Sequence, residues 1–143
     1  MDIRKFFLGT DEFKSPEEII ELIRTSDQFD APQEDTAGAE ALLIFQTSKQ
    51  QTWLVATRAR LYCVLDDLNK SFTRVQWTTP ADKLVAGDQI AVEISTSDKT
   101  ERTGRLNIGE RRNWLFSKKL FPTEGPEARV KEMITRQMTA AVA

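Results

Sequence analysis

The fold is decided by residues 52–65, TWLVATRARLYCVL. Two apolar runs rich in aromatic and β-branched side chains, residues 53–57 and 61–65, are joined through Arg58-Ala59-Arg60. This composition is typical of strands, and so short a connection favours two strands that run antiparallel. The stretch therefore predicts a β-hairpin.

The chain on both sides of this hairpin continues the β pattern. A buried strand is expected at residues 42–45, and further runs follow at residues 72–78, 90–95, 104–108 and 114–121. Val92 and Ile94 alternate with Glu93 and Ser95, which is typical of an antiparallel strand with one face in water. Together these runs predict a mainly β domain of about seven antiparallel strands.

A helix is predicted before the sheet. Ser15 is a suitable N-cap, Pro16 suits the first helical position, and Glu18 completes a capping box with Ser15. The apolar face that follows consists of Ile19, Ile20, Leu22 and Ile23. These signals predict a helix over residues 16–25.

A second helix is predicted after Pro122, where the apolar period changes from two to about 3.6. It opens at Gly125-Pro126-Glu127, and its apolar stripe consists of Val130, Met133, Ile134 and Met138. The pairs Glu127–Lys131 and Glu132–Arg136 have the i,i+4 spacing of helix ion pairs. Because an apolar stripe needs a partner, we expect this helix to cap an open end or face of the sheet.

The chain is expected to divide near residue 40. Residues 27–40 are polar and show neither the two-residue period of a strand nor the 3.6-residue period of a helix, which predicts a linker. Residues 1–40 are therefore a helical extension with its linker, and residues 41–143 are the β-domain with its terminal helix. The extension brings an apolar surface at Phe6-Phe7-Leu8, at Phe13 and on its helix. This surface either packs on the chain's own β-domain or docks on a second subunit or another protein.

Composition narrows the class of function. The 143 residues are 40% hydrophobic and 29% charged, as in one ordinary globular domain, with no histidine and with Cys63 as the one cysteine. These counts exclude an internal disulfide, a cysteine-clustered zinc site and chemistry that depends on histidine. Cys63, among apolar neighbours, is expected to be a buried thiol, and Asp66-Asp67 beside Asn69 to form a turn rather than a metal site. We expect no enzyme activity, cofactor or bound metal.

The N-terminal apolar run is short. Only three apolar residues precede Gly9, far fewer than the core of a signal peptide or a membrane span requires. A cytoplasmic location is therefore expected.

Charge is distributed unevenly along the chain. Residues 1–50 carry five basic and eleven acidic side chains, for a net −6, whereas residues 51–143 carry fifteen and eleven, for a net +4. Residues 99–119 hold seven basic and two acidic side chains, so a surface that binds anions is expected there. The sequence pI of about 5.3 argues against nucleic acid, whose binding depends on neutralising many phosphates.

The hairpin region resembles part of a known family. An apolar strand, a Thr-x-x-Arg-Leu turn from Thr57 to Leu61 and a second apolar strand are similar to those of pleckstrin-homology-like (PH-like) domains, particularly bacterial and GRAM-like ones. Residues 72–77 fit the next strand, and residues 114–120 before a single helix fit the family's C-terminal end. The resemblance spans residues 41–140. It implies a partly open barrel of two nearly orthogonal antiparallel sheets, with the terminal helix in one open corner.

The resemblance also bears on partners. Members of this family bind phosphoinositide head groups, peptides or other proteins. The lipid-binding members carry several basic residues in the loop that joins their first two strands. That loop is here residues 47–51, with Lys49 as its only charge. Protein partners are therefore expected ahead of phosphoinositides.

The candidate binding residues lie in the basic segment; they are Arg105, Arg111, Arg112, Trp114, Lys118 and Lys119. Cations on both sides of Trp114 suit contact with phosphates or an acidic partner, and they suit a solvated face as well. On a strand, Lys118 and Lys119 would point to opposite sides. Trp53, Trp77 and Trp114 fall in predicted strands and are expected in the core, with Trp114 the first candidate for an exception.

Two functions of different class follow. The first is a non-catalytic module for protein interaction or self-assembly through a sheet edge, the terminal helix or the N-terminal arm. The alternative is binding of anions or of acidic lipid head groups at a membrane surface through residues 102–119. An enzyme would have to rely on Asp, Glu, Lys or Tyr, and no grouping in the sequence supports one. No small-molecule substrate is identified.

Overall fold

The computed structural model describes residues 13–25, 38–70, 72–86, 89–94, 102–109, 112–122 and 125–139. The helices of this part are α1 (Pro16–Thr25) and α2 (Pro126–Ile134), the latter followed by a π-helical turn, Thr135–Thr139. Short 3₁₀ turns occupy Ala81–Lys83 and Lys118–Leu120. The strands are β1 (Glu40–Gln46), β2 (Gln50–Ala56), β3 (Arg60–Asp67), β4 (Phe72–Pro80), β5 (Val85–Ala86), β6 (Gln89–Ile90), β7 (Val92–Ile94), β8 (Thr103–Ile108) and β9 (Arg112–Ser117).

The predicted mainly β class, with antiparallel pairing, is confirmed. The strands form a sheet of order β1-β2-β3-β4, a small hairpin β5-β6 and a sheet of order β7-β8-β9, which do not close into a barrel within the described residues. The predicted count of about seven strands is not reproduced. The run at residues 90–95 is divided at Ala91, whose N–H donates to the carbonyl of Leu84 at 2.9 Å, in register with β5–β6, while its carbonyl accepts the N–H of Gly109 at 2.8 Å, in register with β7–β8.

The four-stranded sheet is a meander, and in each of its three turns a side-chain oxygen accepts hydrogen bonds from the backbone. Thr47 Oγ1 and Thr57 Oγ1 each accept the N–H groups two and three residues further on, at 3.0–3.3 Å. Asp67 Oδ1 does the same in the third turn, at 2.9 and 3.2 Å. Such side-chain acceptors satisfy turn N–H groups that the ladder leaves free. The predicted hairpin at residues 52–65 is confirmed, with its turn closed by Thr57.

The main core lies between the four-stranded sheet, the three-stranded sheet and α2. Its buried side chains include Leu54, Leu61 and Cys63 from the first sheet, Leu106, Ile108 and Phe116 from the second, and Val130, Met133, Ile134 and Met138 from α2 and the turn after it. The sheets meet where Ser117 Oγ accepts the N–H of Gln46 at 2.9 Å and donates to its carbonyl at 3.3 Å. The expected burial of the Cys63 thiol is confirmed.

Helix α1 covers the other face of the four-stranded sheet. Its bounds are those predicted, and its capping box is formed: Ser15 N–H donates to Glu18 Oε1 at 3.0 Å and Glu18 N–H to Ser15 Oγ at 3.2 Å. The buried residues of this second cluster are Ile19, Leu22 and Ile23 from α1 and Trp53, Val55, Tyr62, Val64 and Val75 from the sheet. Of the two arrangements expected for this helix, the structure has the one on the chain's own sheet. Residues 6–8 lie outside the described residues.

The C-terminal helix also follows its prediction in part. Its predicted stripe is buried, and Lys131 Nζ donates to Glu127 Oε1 at 2.8 Å. Arg136 forms an ion pair with Glu40 at the start of β1, whereas the sequence pattern predicted an ion pair with Glu132. The π-helical turn after α2 holds both Arg136 and the buried Met138.

The last predicted strand, residues 114–121, ends earlier than expected. β9 stops at Ser117: one more in-register hydrogen bond, from the N–H of Lys118 to the carbonyl of Arg102 at 2.9 Å, extends the pairing with β8, and the chain then turns. The 3₁₀ turn closes with the N–H of Phe121 on the carbonyl of Lys118, and the Phe121 ring packs edge-on against Phe116. The prediction that Lys118 and Lys119 alternate across a strand is therefore wrong.

Candidate interaction surface

The layers of the fold differ in how far they are covered. The four-stranded sheet has α1 on one face and the main core on the other. The three-stranded sheet turns only its inner face to the core: Gly104, Leu106 and Ile108 of β8 are buried, whereas the residues between them are half-buried. Within the described residues, α1 packs against β1 and β2, and α2 against β7 and β1. The outer face of β8 and β9 is thus the sheet face on which neither helix packs.

This outer face centres on a pair of dissimilar side chains. Leu115 of β9 lies directly opposite Arg105 of β8 in the ladder. Side chains that are opposite each other in an antiparallel pair lie on the same face, with Cβ atoms about 5 Å apart. Leu115 is 40% exposed, and it is the large hydrophobic residue that the described part leaves exposed.

Further cations lie at one end of the same strand pair. Arg102, just before β8, and Lys119, just after β9, are exposed, and Lys118 is half-buried. The hydrogen bond from the N–H of Lys118 to the carbonyl of Arg102 fixes these two segments side by side. Residues 101–122 contain six basic side chains and two acidic ones, Glu101 and Glu110. The local charge is therefore positive in a chain whose net charge is −2.

The structure separates the predicted site residues. Arg105 lies on the outer face, whereas Trp114 belongs to the core side, opposite Leu106, with its ring 5.9 Å from that of Trp77. Trp114 is half-buried, and its buried indole N–H has no hydrogen-bond partner among the described residues.

The other predicted cations are spread along the chain. Lys118 and Lys119 belong to the 3₁₀ turn. Arg112 pairs with Ile108 through the backbone, and Arg111 lies outside the described residues. Of the predicted site residues in the described part of the chain, Arg105 lies on the outer face, directly opposite Leu115, whereas Lys118 and Lys119 lie past the end of β9.

The sequence analysis missed Leu115. Trp114 and Phe116 were expected in the strand, and both contribute to the core. Because successive side chains of a strand point to opposite faces, two inward neighbours place Leu115 outward. The outward position of Leu115 could therefore have been predicted from the alternation of residues 114–116.

The two open sheet edges are less suited to a partner. β4 has no neighbour on its outer side among the described strands, but its register is irregular opposite Cys63 and Val64, and it ends at Pro80. Arg74 lies over the Phe72 ring, 5.0 Å from its centroid, on the same strand. β7 contains three residues. Short strands, irregularities, charge and proline all discourage pairing at an edge.

A buried polar cluster beneath α1 has a structural role. Asp66 Oδ2 accepts the N–H of Lys14 at 2.8 Å, and Asp66 Oδ1 accepts the hydroxyl of Thr73 at 3.1 Å. Burial lowers the pKa of the Lys14 ammonium, and the carboxylates of Asp66 and Glu18 oppose this shift. Asp66 and Asp67 are both the last residues of β3; Asp67 accepts the N–H groups of the turn that follows, whereas Asp66 anchors the N-terminal segment.

The described part of the chain brings no group of three or more potential metal ligands together. None of its helices has the length and apolar content needed to cross a membrane.

No family model, curated protein or solved structure matches the chain. The resemblance to PH-like domains therefore stays a prediction from the residues named above.

Proposed function

We propose that this protein is a non-catalytic, PH-like binding module that mediates protein interaction or self-assembly in the cytoplasm. The order of the fold supports the PH-like proposal: a four-stranded meander comes first, a three-stranded sheet follows, and a helix that packs into the core comes last. A non-catalytic role is supported by three groups that could otherwise be reactive. Cys63 is buried, and the carboxylates of Asp66 and Asp67 accept hydrogen bonds from the backbone.

One observation carries the proposal: the outer face of β8 and β9 exposes Leu115 beside Arg105, and Leu115 is the large apolar side chain that the described part of the chain leaves exposed. A single exposed leucine is ordinary on a protein surface. Leu115, however, lies in the middle of β9, and a partner that contacts it can also contact the neighbouring strand β8. Interfaces commonly join an apolar centre to a polar rim that includes arginine. The Leu115–Arg105 pair has this composition.

The test replaces Leu115→Thr, which keeps a β-favouring side chain and removes the apolar contact. Affinity capture with the unmodified protein should recover a partner, or light scattering should show self-association, and Leu115→Thr should weaken that interaction about tenfold. Gln76→Thr is the matched control, since Gln76 is an exposed strand residue of the other sheet. A strictly monomeric protein that captures no partner would contradict the proposal, as would equal binding by both variants.

The second candidate is binding of anions or of acidic lipid head groups through residues 102–119. The observation that favours it is the excess of basic side chains in residues 102–119, six against the single acidic Glu110. Adsorption of this kind depends on the number of cations near the surface and weakens as salt is added.

A further inference from the structure

We infer that α1 is an exchangeable element: the sheet face that it covers also accepts α1 of a second copy of the chain, so that two copies associate by mutual exchange of this helix. The surface concerned lies on the four-stranded sheet and is separate from the Leu115 face of the proposed function. The features that carry the inference are the separate apolar cluster beneath α1, the way in which α1 is anchored, and the length of the connection to β1.

The cluster beneath α1 is separate from the main core. Ile19 and Ile23 of α1 are fully buried in a cluster with Trp53 and Tyr62 of the sheet, whereas the main core lies between the two sheets and α2. Departure of α1 would therefore leave the contacts of the main core in place. It would also uncover an apolar face with two large aromatic side chains, and such a face needs a cover.

The segment that covers this face carries its own helix signals. The capping box of Ser15 and Glu18 lies within the segment, and so does the apolar face of α1. The anchor on the sheet is the N–H of Lys14, which donates to the buried carboxylate of Asp66 at 2.8 Å. A second copy presents the same cap, the same apolar face and the same anchor, so its α1 matches the face residue for residue.

The connection between α1 and the sheet is long enough for either position. α1 ends at Thr25 and β1 begins at Glu40, which leaves fourteen residues between them. A chain of this length spans up to about 50 Å, whereas a ten-residue helix is about 15 Å long. α1 can therefore reach the sheet of its own chain or that of an adjacent copy.

Mass action decides between the closed chain and the exchanged pair. Both arrangements contain the same contacts between α1 and a sheet, so they differ in the association step and in the path of the connection. A short connection gives α1 an effective concentration on the order of 1 mM at its own sheet. The closed chain therefore predominates in dilute solution, and exchanged pairs form as the protein concentration approaches this value.

The first test opens the face and supplies α1 in trans. In the full-length variant Ile19→Asp/Ile23→Asp the chain's own α1 loses its apolar contacts, and a labelled synthetic peptide of residues 13–25 should bind, as measured by fluorescence polarisation. The unmodified protein should bind the peptide at least about tenfold more weakly, since its own α1 competes. A control peptide with the same two substitutions should not bind. If the double variant does not fold, Ile23→Ala is the opened protein, and it should bind the peptide more tightly than the unmodified protein does.

A second pair of variants tests whether the peptide takes the position of α1. Adding Asp66→Ala to the opened protein should weaken peptide binding about tenfold, because the N–H of the peptide's Lys14 loses its acceptor. Adding Asp82→Ala, at an exposed position, should leave the affinity within about twofold. Equal effects of the two substitutions would contradict binding at the position of α1.

Self-association of the intact chain provides the final readout. Light scattering should show a dimer fraction that rises between about 10 µM and about 1 mM protein, which Leu115→Thr keeps and Ile19→Asp/Ile23→Asp loses. The inference is overturned by a protein that stays monomeric near 1 mM, by equal binding of the two peptides, or by opened variants that bind neither. If self-association is lost with Leu115→Thr and unchanged in Ile19→Asp/Ile23→Asp, the proposed function stands and exchange of α1 is wrong.

Discussion

Asp66 holds the N-terminal segment on the sheet. Its carboxylate is fully buried and accepts two hydrogen bonds, from the backbone of Lys14 and the hydroxyl of Thr73. A buried carboxylate needs hydrogen-bond donors for its oxygens, and the two buried donors in turn need the carboxylate as their acceptor. Because Lys14 directly precedes the capping box of α1, this contact sets where the helix begins on the sheet.

We expect Asp66→Ala to lower the free energy of unfolding by about 1–3 kcal/mol, since it leaves the N–H of Lys14 and the hydroxyl of Thr73 buried without an acceptor. Urea denaturation measures the change. The control is Asp82→Ala, at an exposed position, which should change stability by less than about 0.5 kcal/mol. Similar losses in the two variants would show that Asp66 does not anchor the segment.

The Glu40–Arg136 pair predicts a dependence of stability on pH. The side-chain hydrogen bond from Arg136 lowers the pKa of Glu40 below its ordinary value of 4.5, although partial burial opposes the shift. A lowered carboxyl pKa means that the folded state favours the ionised form. The stabilisation is therefore complete above about 4.5 and is lost as the pH falls through the lower folded-state pKa.

The variant Glu40→Gln should consequently be less stable than the unmodified protein near neutral pH and equally stable at strongly acidic pH. Unfolding free energies across this range measure the difference. Because Glu40 is 31% exposed and Arg136 is more so, the effect should be small and should weaken with salt. A difference that grows as the pH falls would contradict the assignment.

Among the elements, the turns of the meander show how much local sequence determined. Thr47, Thr57 and Asp67 are spaced ten residues apart, and each accepts the N–H groups that follow it. The hairpin at residues 52–65 was predictable because its strands and its turn are contiguous. The same reasoning gave α1 its correct bounds, since cap, proline and apolar face all lie within the helix.

Elements that depend on distant contacts were not predictable in the same way. β9 ends at Ser117, whose hydroxyl is hydrogen-bonded to the backbone of Gln46 in the other sheet. Arg136 forms its ion pair with Glu40, which lies ninety-six positions earlier, rather than with Glu132 as predicted. In the candidate site, charge selected residues 99–119 from the sequence, whereas only strand pairing shows that Arg105 and Trp114 face opposite ways.

At the scale of the whole molecule, one sheet separates two apolar clusters. The main core involves both sheets and α2, and the second cluster involves only α1 and the outer face of the four-stranded sheet. A ten-residue helix is too short to be stable alone in water, so α1 persists through this contact. The two clusters differ in size, and the smaller can open while the larger stays packed.

We therefore expect Ile23→Ala to release α1 without loosening the main core. Ile23 is fully buried, and such a truncation costs about 2–5 kcal/mol, here drawn from the smaller cluster. Hydrogen exchange should become faster at the α1 amides and stay unchanged at those of β8. Ile134→Ala, which removes an equally buried side chain from the main core, should instead accelerate exchange at β8. Equal acceleration of α1 and β8 by Ile23→Ala would mean that the two clusters unfold as one unit, and α1 would then be an integral layer of the domain.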